Sequence, residues 1–152
     1  MEAVPRTSPR ASALAPTAPA PLPTNVPALL AVADPDTRLL VKGLLRLLRH
    51  PVRAEAADAE ELERLPTVDE TTVVLLEVDP TFDGWEPGLR AIVHRHPLGR
   101  TIVLSPRVTP EFTARARAAG ARAVLARPFA IRELSTALAA ALDGAPRPGR
   151  GA

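Results

Sequence analysis

The chain has 152 residues, a formal net charge of +2, 46% hydrophobic and 24% charged residues, which suits one globular domain. There is no Cys, so disulfides, thiolate metal sites and cysteine nucleophiles are excluded. Aromatics make up only 3%, and the core has to be built from Leu, Val, Ile and Ala. The basic residues are Arg apart from Lys42, and they are interleaved with Asp and Glu along the chain, whereas binding to a phosphate backbone needs cations gathered on one face. No apolar run is long enough for a signal peptide or a membrane span. The expectation is a cytoplasmic protein that binds neither nucleic acid nor membrane.

Residues 1–27 are rich in Pro, Ala, Ser and Thr and cannot bury enough surface to offset their ordering entropy, so they read as a disordered arm biased to polyproline II. Residues 144–152 have the same character, which leaves 28–143 as the folded part. Leu29 to Ala33 is a first buried strand. Asp36-Thr37-Arg38 starts a helix in which Leu40, Val41, Leu44, Leu45, Leu47 and Leu48 form one broad apolar stripe, ending near His50-Pro51. Val52, Ala54 and Ala56 alternate with Arg53 and Glu55, as in an edge-like strand with one wet face. Asp58 and Glu61 form a capping pair for a short helix that buries Leu62 and Leu65.

Thr72-Val73-Val74-Leu75-Leu76 is a continuous apolar run of the kind found in a central parallel strand. The turn-rich segment Glu77 to Gly84 leads to a helix from about Glu86 to His96. Trp85 is a half-buried packing aromatic at its start. His94 and His96, two apart, point to different helical faces and read as solvated residues rather than metal ligands. Thr101 to Leu104 is a fourth strand ending at Ser105. Thr109 caps a fourth helix with Pro110 in its first turn, and Gly120 supplies the left-handed residue after it. Ala123 to Ala126 is a fifth strand, and Ile131, Leu134, Leu138 and Leu142 mark a last helix stopped by Gly144.

Strands alternating with helices predict an α/β doubly wound, five-stranded parallel sheet with five helices. In such sheets the functional crevice lies at the carboxyl ends of the strands. That rule selects Asp34, Asp36, Glu77, Asp79, Ser105 and Arg127.

The ordered set Asp34-Pro35-Asp36-Thr37-Arg38, Val74-Leu75-Leu76 followed by an acid, Asp83-Gly84-Trp85-Glu86, Ala119-Gly120-Ala121 and Arg127-Pro128-Phe129 resembles a response-regulator receiver (CheY-like) domain over about residues 28–143. The resemblance implies the flavodoxin-like strand order 2-1-3-4-5. It also implies a cis bond at Arg127-Pro128. Relatives bind Mg²⁺ with an acid pair after strand 1, accept a phosphoryl group on an Asp ending strand 3, and carry a Thr or Ser after strand 4 and a Lys after strand 5.

Matched position by position, the chain departs from that pattern. The acid pair falls on Val32 and Ala33, with Asp34 one place later as a weak metal candidate. The acceptor position falls on Glu77, with Asp79 as the alternative. Arg127 replaces the Lys, and Val124 stands where many relatives carry an aromatic switch. The expected picture is a degenerate pocket in which Arg127 makes a forked ion pair with Glu77, aided by Ser105, with no metal and no cofactor.

The resemblance, together with these departures from it, implies a stand-alone, atypical receiver that catalyses nothing and signals through a protein partner, a histidine kinase or a regulatory protein, or as a homodimer. Arg115, Arg117 and Arg122 form its expected interaction face. The competing expectation is a working phosphoacceptor in a two-component phosphorelay, on Asp79 or Glu77 and dependent on Mg²⁺. A ligand binder that only shares the architecture is a third reading, against which stands the lack of a Gly-rich phosphate loop after strand 1.

Overall fold

The computed structural model describes residues 25–145; the expectations for residues 1–24 and 146–152 lie outside the described residues. Its elements are β1 (Ala28–Ala31), α1 (Pro35–Leu47), β2 (Val52–Ala56), α2 (Ala59–Glu63), β3 (Thr72–Glu77), α3 (Trp85–Arg95), β4 (Gly99–Ser105), α4 (Pro110–Ala118), β5 (Ala123–Ala126) and α5 (Ile131–Leu142). All strand pairs are parallel and the order is β2-β1-β3-β4-β5. This is the predicted doubly wound sheet, with β2 on an edge.

Successive strand residues point to opposite faces, and the core is divided accordingly. Leu30, Leu75 and Leu104 pack with α1 and α5, while Leu29, Val74, Leu76 and Val103 pack with α2, α3 and α4. The middles of the central strands, Val73 to Leu76 in β3 and Ile102 to Leu104 in β4, are continuously apolar because helices cover both sides. Helix ends follow local chemistry. The Asp34 carboxylate accepts from the Thr37 amide at 2.9 Å, and Thr109 Oγ1 accepts from the Phe112 amide at 3.0 Å. Asp58 and Glu61 form a reciprocal capping pair, with the Glu61 amide donating to Asp58 and the Ala57 amide donating to Glu61. Gly120 has φ +115°, and a Cβ there would lie 2.8 Å from Val93 Cγ1, so both the turn and the close approach of α3 require glycine.

Four details differ from the sequence reading. Asn25, Val26 and Pro27 belong to the body: Val26 is buried and the Pro27 carbonyl accepts from the Val73 amide at 2.9 Å. β1 ends at Ala31, and β4 begins already at Gly99. The stripe of α1 is narrower than expected, since Val41 and Leu45 are fully buried whereas Leu40 and Leu47 are 47% and 71% exposed. Leu40 sits one residue before the core-facing Val41, about 100° round the helix, and Leu47 lies well away from the same line, where a single flat sheet cannot reach. His96 is not solvated. α3 ends at Arg95, the chain turns back toward β4, and His96 is buried at 1% exposure while His94 stays exposed.

His50 is equally buried, with one ring nitrogen 3.1 Å from the Val26 carbonyl and the other unpartnered. Among the described residues no group meets hydrogen-bond geometry with either ring nitrogen of His96, although the nearby Leu62 carbonyl works toward the charged form. Burial dominates in both cases and holds each pKa below the ordinary 6.5. Above about pH 7 these rings are neutral whether the chain is folded or not. Below 6.5 the unfolded chain takes up protons that the folded one refuses, so stability falls as pH drops through the window beneath that value. Urea unfolding between pH 8 and pH 5 should show a plateau followed by a decline of up to about 1.4 kcal/mol per pH unit per titrating ring. The double variant His50→Gln/His96→Gln should flatten the decline, and an unchanged slope would assign it to other groups.

Candidate functional site

Four loops meet at the carboxyl ends of the strands. Glu77 is the last residue of β3, and Arg127 follows β5 directly. The strand between them, β4, ends in the small, buried Ser105, and the guanidinium crosses over it. Arg127 Nη2 lies 3.1 Å from Glu77 Oε2, with the two side chains 26% and 15% exposed. Glu77 Oε1 accepts from the Ala33 amide at 2.9 Å, so both oxygens of this carboxylate are engaged.

The ion pair is single rather than forked. The second terminal nitrogen, Arg127 Nη1, donates instead to Thr37 Oγ1 at 3.1 Å, and Thr37 Oγ1 donates to Asp34 Oδ2 at 2.6 Å. The Thr37 hydroxyl draws Nη1 away from the carboxylate, and the Ala33 amide takes the other Glu77 oxygen. A continuous network results, running from the β1–α1 loop through Glu77 and Arg127 to the first turn of α1. Arg127 Nε is buried without a partner. The Arg127-Pro128 bond is cis.

Asp34 is drawn into this network as the cap of α1. The Thr37 hydroxyl, then the Thr37 amide, and with a smaller contribution the charge of Arg127 hold its carboxyl below the ordinary value. Asp36 is exposed on the first turn of α1 and takes no part. The Ser105 hydroxyl does not aid the ion pair as expected: it donates to the Arg107 carbonyl at 2.8 Å and accepts from the Arg107 amide at 3.2 Å, closing its own turn. Only its main chain serves the pair, through the Arg127 amide bond to the Ser105 carbonyl. Asp79, exposed, likewise closes a local turn by accepting from the Thr81 hydroxyl and amide, and these bonds lower its pKa.

All three arginines of the expected interaction face are exposed, and they differ in their contacts. Arg115 is committed to α3, pairing with Glu86 and lying 4.9 Å above the Trp85 ring. Trp85 is buried and packs on Phe112 with ring centroids 4.8 Å apart. The guanidinium of Arg115 is the largest cause of the lowered Glu86 pKa. Arg117 and Arg122 remain exposed and meet each other, Arg117 Nη1 lying 3.3 Å from the Arg122 carbonyl.

An open groove of about 1020 Å³ adjoins the ion pair, walled by Ala57, Asp79, Phe82, Trp85, Gly88 and Arg107. Sequence reasoning did not single out Thr37 as a partner of Arg127, nor the Ala33 amide; the spacing Asp34-x-x-Thr37 carries the only signal, that of a helix cap. The residues do not fit Mg²⁺. Val32 and Ala33 offer no carboxylate, Asp34 is turned to Thr37 and Glu77 to Arg127. Among the described residues no group of three His, Asp or Glu is placed to hold a metal ion.

A double-mutant cycle in urea tests the strength of the pair. Glu77→Gln and Arg127→Met should each cost about 1–3 kcal/mol, with a coupling of about 1–2 kcal/mol between them. A coupling near zero would mean that the contact adds nothing to stability.

No protein-family model and no curated protein matches the chain. Solved structures do. The pilus assembly protein CpaE from Caulobacter crescentus superposes with a TM-score of 0.66 at 14% identity, over 78% of this chain and 94% of that one. A response regulator from Thermotoga maritima superposes with a TM-score of 0.64 at 22% identity, over 79% and 99%. The BeF3-activated DrrB receiver domain gives 0.62 at 21% identity, over 79% and 98%. The chain has the fold of a response-regulator receiver domain.

Proposed function

We propose that this chain is an atypical receiver module that acts in signal transduction by binding a protein partner, independently of phosphorylation, and that it catalyses nothing itself. The observation that carries this reading is the engagement of both Glu77 oxygens, one by Arg127 and one by the Ala33 amide. Phosphoryl transfer to a carboxylate needs a free nucleophilic oxygen and a cation beside it to neutralise the moving charge. Here the cation is a fixed guanidinium, and a strongly bound side chain stands where the incoming group would sit. Position 77 is a carboxylate held permanently by a cation, which resembles the charge arrangement of a phosphorylated pocket without the chemistry.

Partner binding is supported by exposed groups at the rim of the crevice and beyond it. Arg117 and Arg122 are exposed together on the β5 side, and Phe82 is 63% exposed beside the groove. A kinase, a regulatory protein or a second copy of the chain fits this description. Some structural neighbours are described as pilus assembly proteins, which adds a component of an assembly apparatus to the partner classes. No helix of the described residues is long and apolar enough to cross a membrane.

Titration with Mg²⁺ and beryllofluoride, read by Trp85 fluorescence, tests the proposal. The expected outcome is no saturable change, and incubation with a small phosphodonor should add no phosphoryl mass. A metal-dependent, saturable response would establish the competing phosphoacceptor; its loss in Asp79→Asn or in Glu77→Gln would identify the acceptor.

A further inference from the structure

α1 carries an apolar strip that nothing among the described residues covers. Leu39 and Leu47 are 70% and 71% exposed, Leu40 is 47% exposed, and Gly43 lies among them on the same side of the helix. Single exposed leucines are ordinary, but three around a mid-helix glycine form a patch. The glycine itself weakens the helix relative to alanine, and an added Cβ would meet nothing within 4 Å. The helix surface at Gly43 is thus low and open.

A groove flanks this strip and shares Leu39 and Gly43 with it; Asn25, Arg46, His50 and Val52 also line it, while Leu40 and Leu47 lie outside it. The edge strand β2 forms its other wall, and Lys42 Nζ spans to Glu55 Oε2 at 2.9 Å to hold the walls together. Asn25 is where residues 1–24 join the body. Its amide donates to the Arg49 carbonyl at 2.7 Å, and its φ of 64° turns the chain. The described chain therefore begins at a wall of the groove.

We propose that residues 16–24 of this chain dock in that groove, running back along α1 over Gly43 and covering Leu39. The sequence Pro16-Thr17-Ala18-Pro19-Ala20-Pro21-Leu22-Pro23-Thr24 is uncharged. Its prolines favour polyproline II and reduce the entropy lost on ordering. They also lack amide donors, so the segment can lie beside the β2 edge without extending the sheet and blocks that edge to other strands. Lengths agree. Polyproline II advances about 3.1 Å per residue and an α-helix about 1.5 Å. From the anchor at Arg49, Leu22 comes level with Gly43, and Ala20 comes level with Leu39.

The native chain lacks Cys, which makes a cross-linking test clean. The pair Leu22→Cys/Gly43→Cys is oxidised and compared with the same pair carrying Leu39→Asp, a change at a 70% exposed groove position that leaves the tether untouched. Gly43 faces open space, so the substitution leaves the fold intact. Docking predicts an intramolecular disulfide in the first pair that forms at least about tenfold faster than in the second, beyond what the shared tether alone provides. Equal rates, or no intramolecular product, would overturn the proposal. A disulfide formed only between chains would also overturn it, by showing that a second copy occupies the strip.

Discussion

The contact between Arg127 and Glu77 bridges strands that do not touch. β4 separates β3 from β5, so the two backbones stand about 9–10 Å apart at the sheet spacing. A Lys–Asp pair would be the shorter arrangement. Glu adds a methylene on one side, and Arg brings a planar head on a long stem from the other, with two terminal nitrogens that reach different partners. The guanidinium uses them to hold Glu77 and Thr37 at once. The consequence is that β1, β3, β5 and the start of α1 are tied together at one end of the sheet by side chains and a single main-chain amide.

That knot determines what its neighbours are free to do. With Glu77 neutralised by a side chain, Asp34 is available to cap α1, and its carboxylate faces Thr37 instead of a cation in the crevice. Ser105, passed over by the guanidinium, closes the β4–α4 turn. The pocket is thus internally satisfied apart from Arg127 Nε. The partner-binding reading rests on this satisfaction, because a crevice whose charges are already paired has little to offer an incoming anion or metal, while exposed groups on its rim remain available.

α1 connects the two regions on which the functional readings depend. Its first turn belongs to the ion-pair network, and its last turn lies beside the groove where Asn25 joins the body. On the opposite side of the sheet, Arg115 clamps α4 to α3 through Glu86 and the Trp85 ring. Arg117 and Arg122 stand exposed at the far end of α4, and Arg115 is itself 59% exposed while paired with Glu86. One face of the molecule is therefore locked by charge and aromatic contacts, and the other presents leucines.

The alternation of apolar runs with helical periods determined the architecture without any tertiary knowledge, because a parallel strand buried on both faces has few other sequence solutions. Capping residues such as Asp58, Thr109 and Gly120 were equally legible, since they act on neighbours within a few positions. The pairing of Glu77 with Arg127 could be anticipated only through the family pattern, and its single rather than forked form goes with a second guanidinium contact to Thr37, 90 residues away from Arg127. The width of the α1 stripe and the burial of His96 were decided by where a flat sheet ends and where a chain turns back. Periodicity reports which way a side chain points along its own element. Whether another element is there to meet it is a property of the assembled fold.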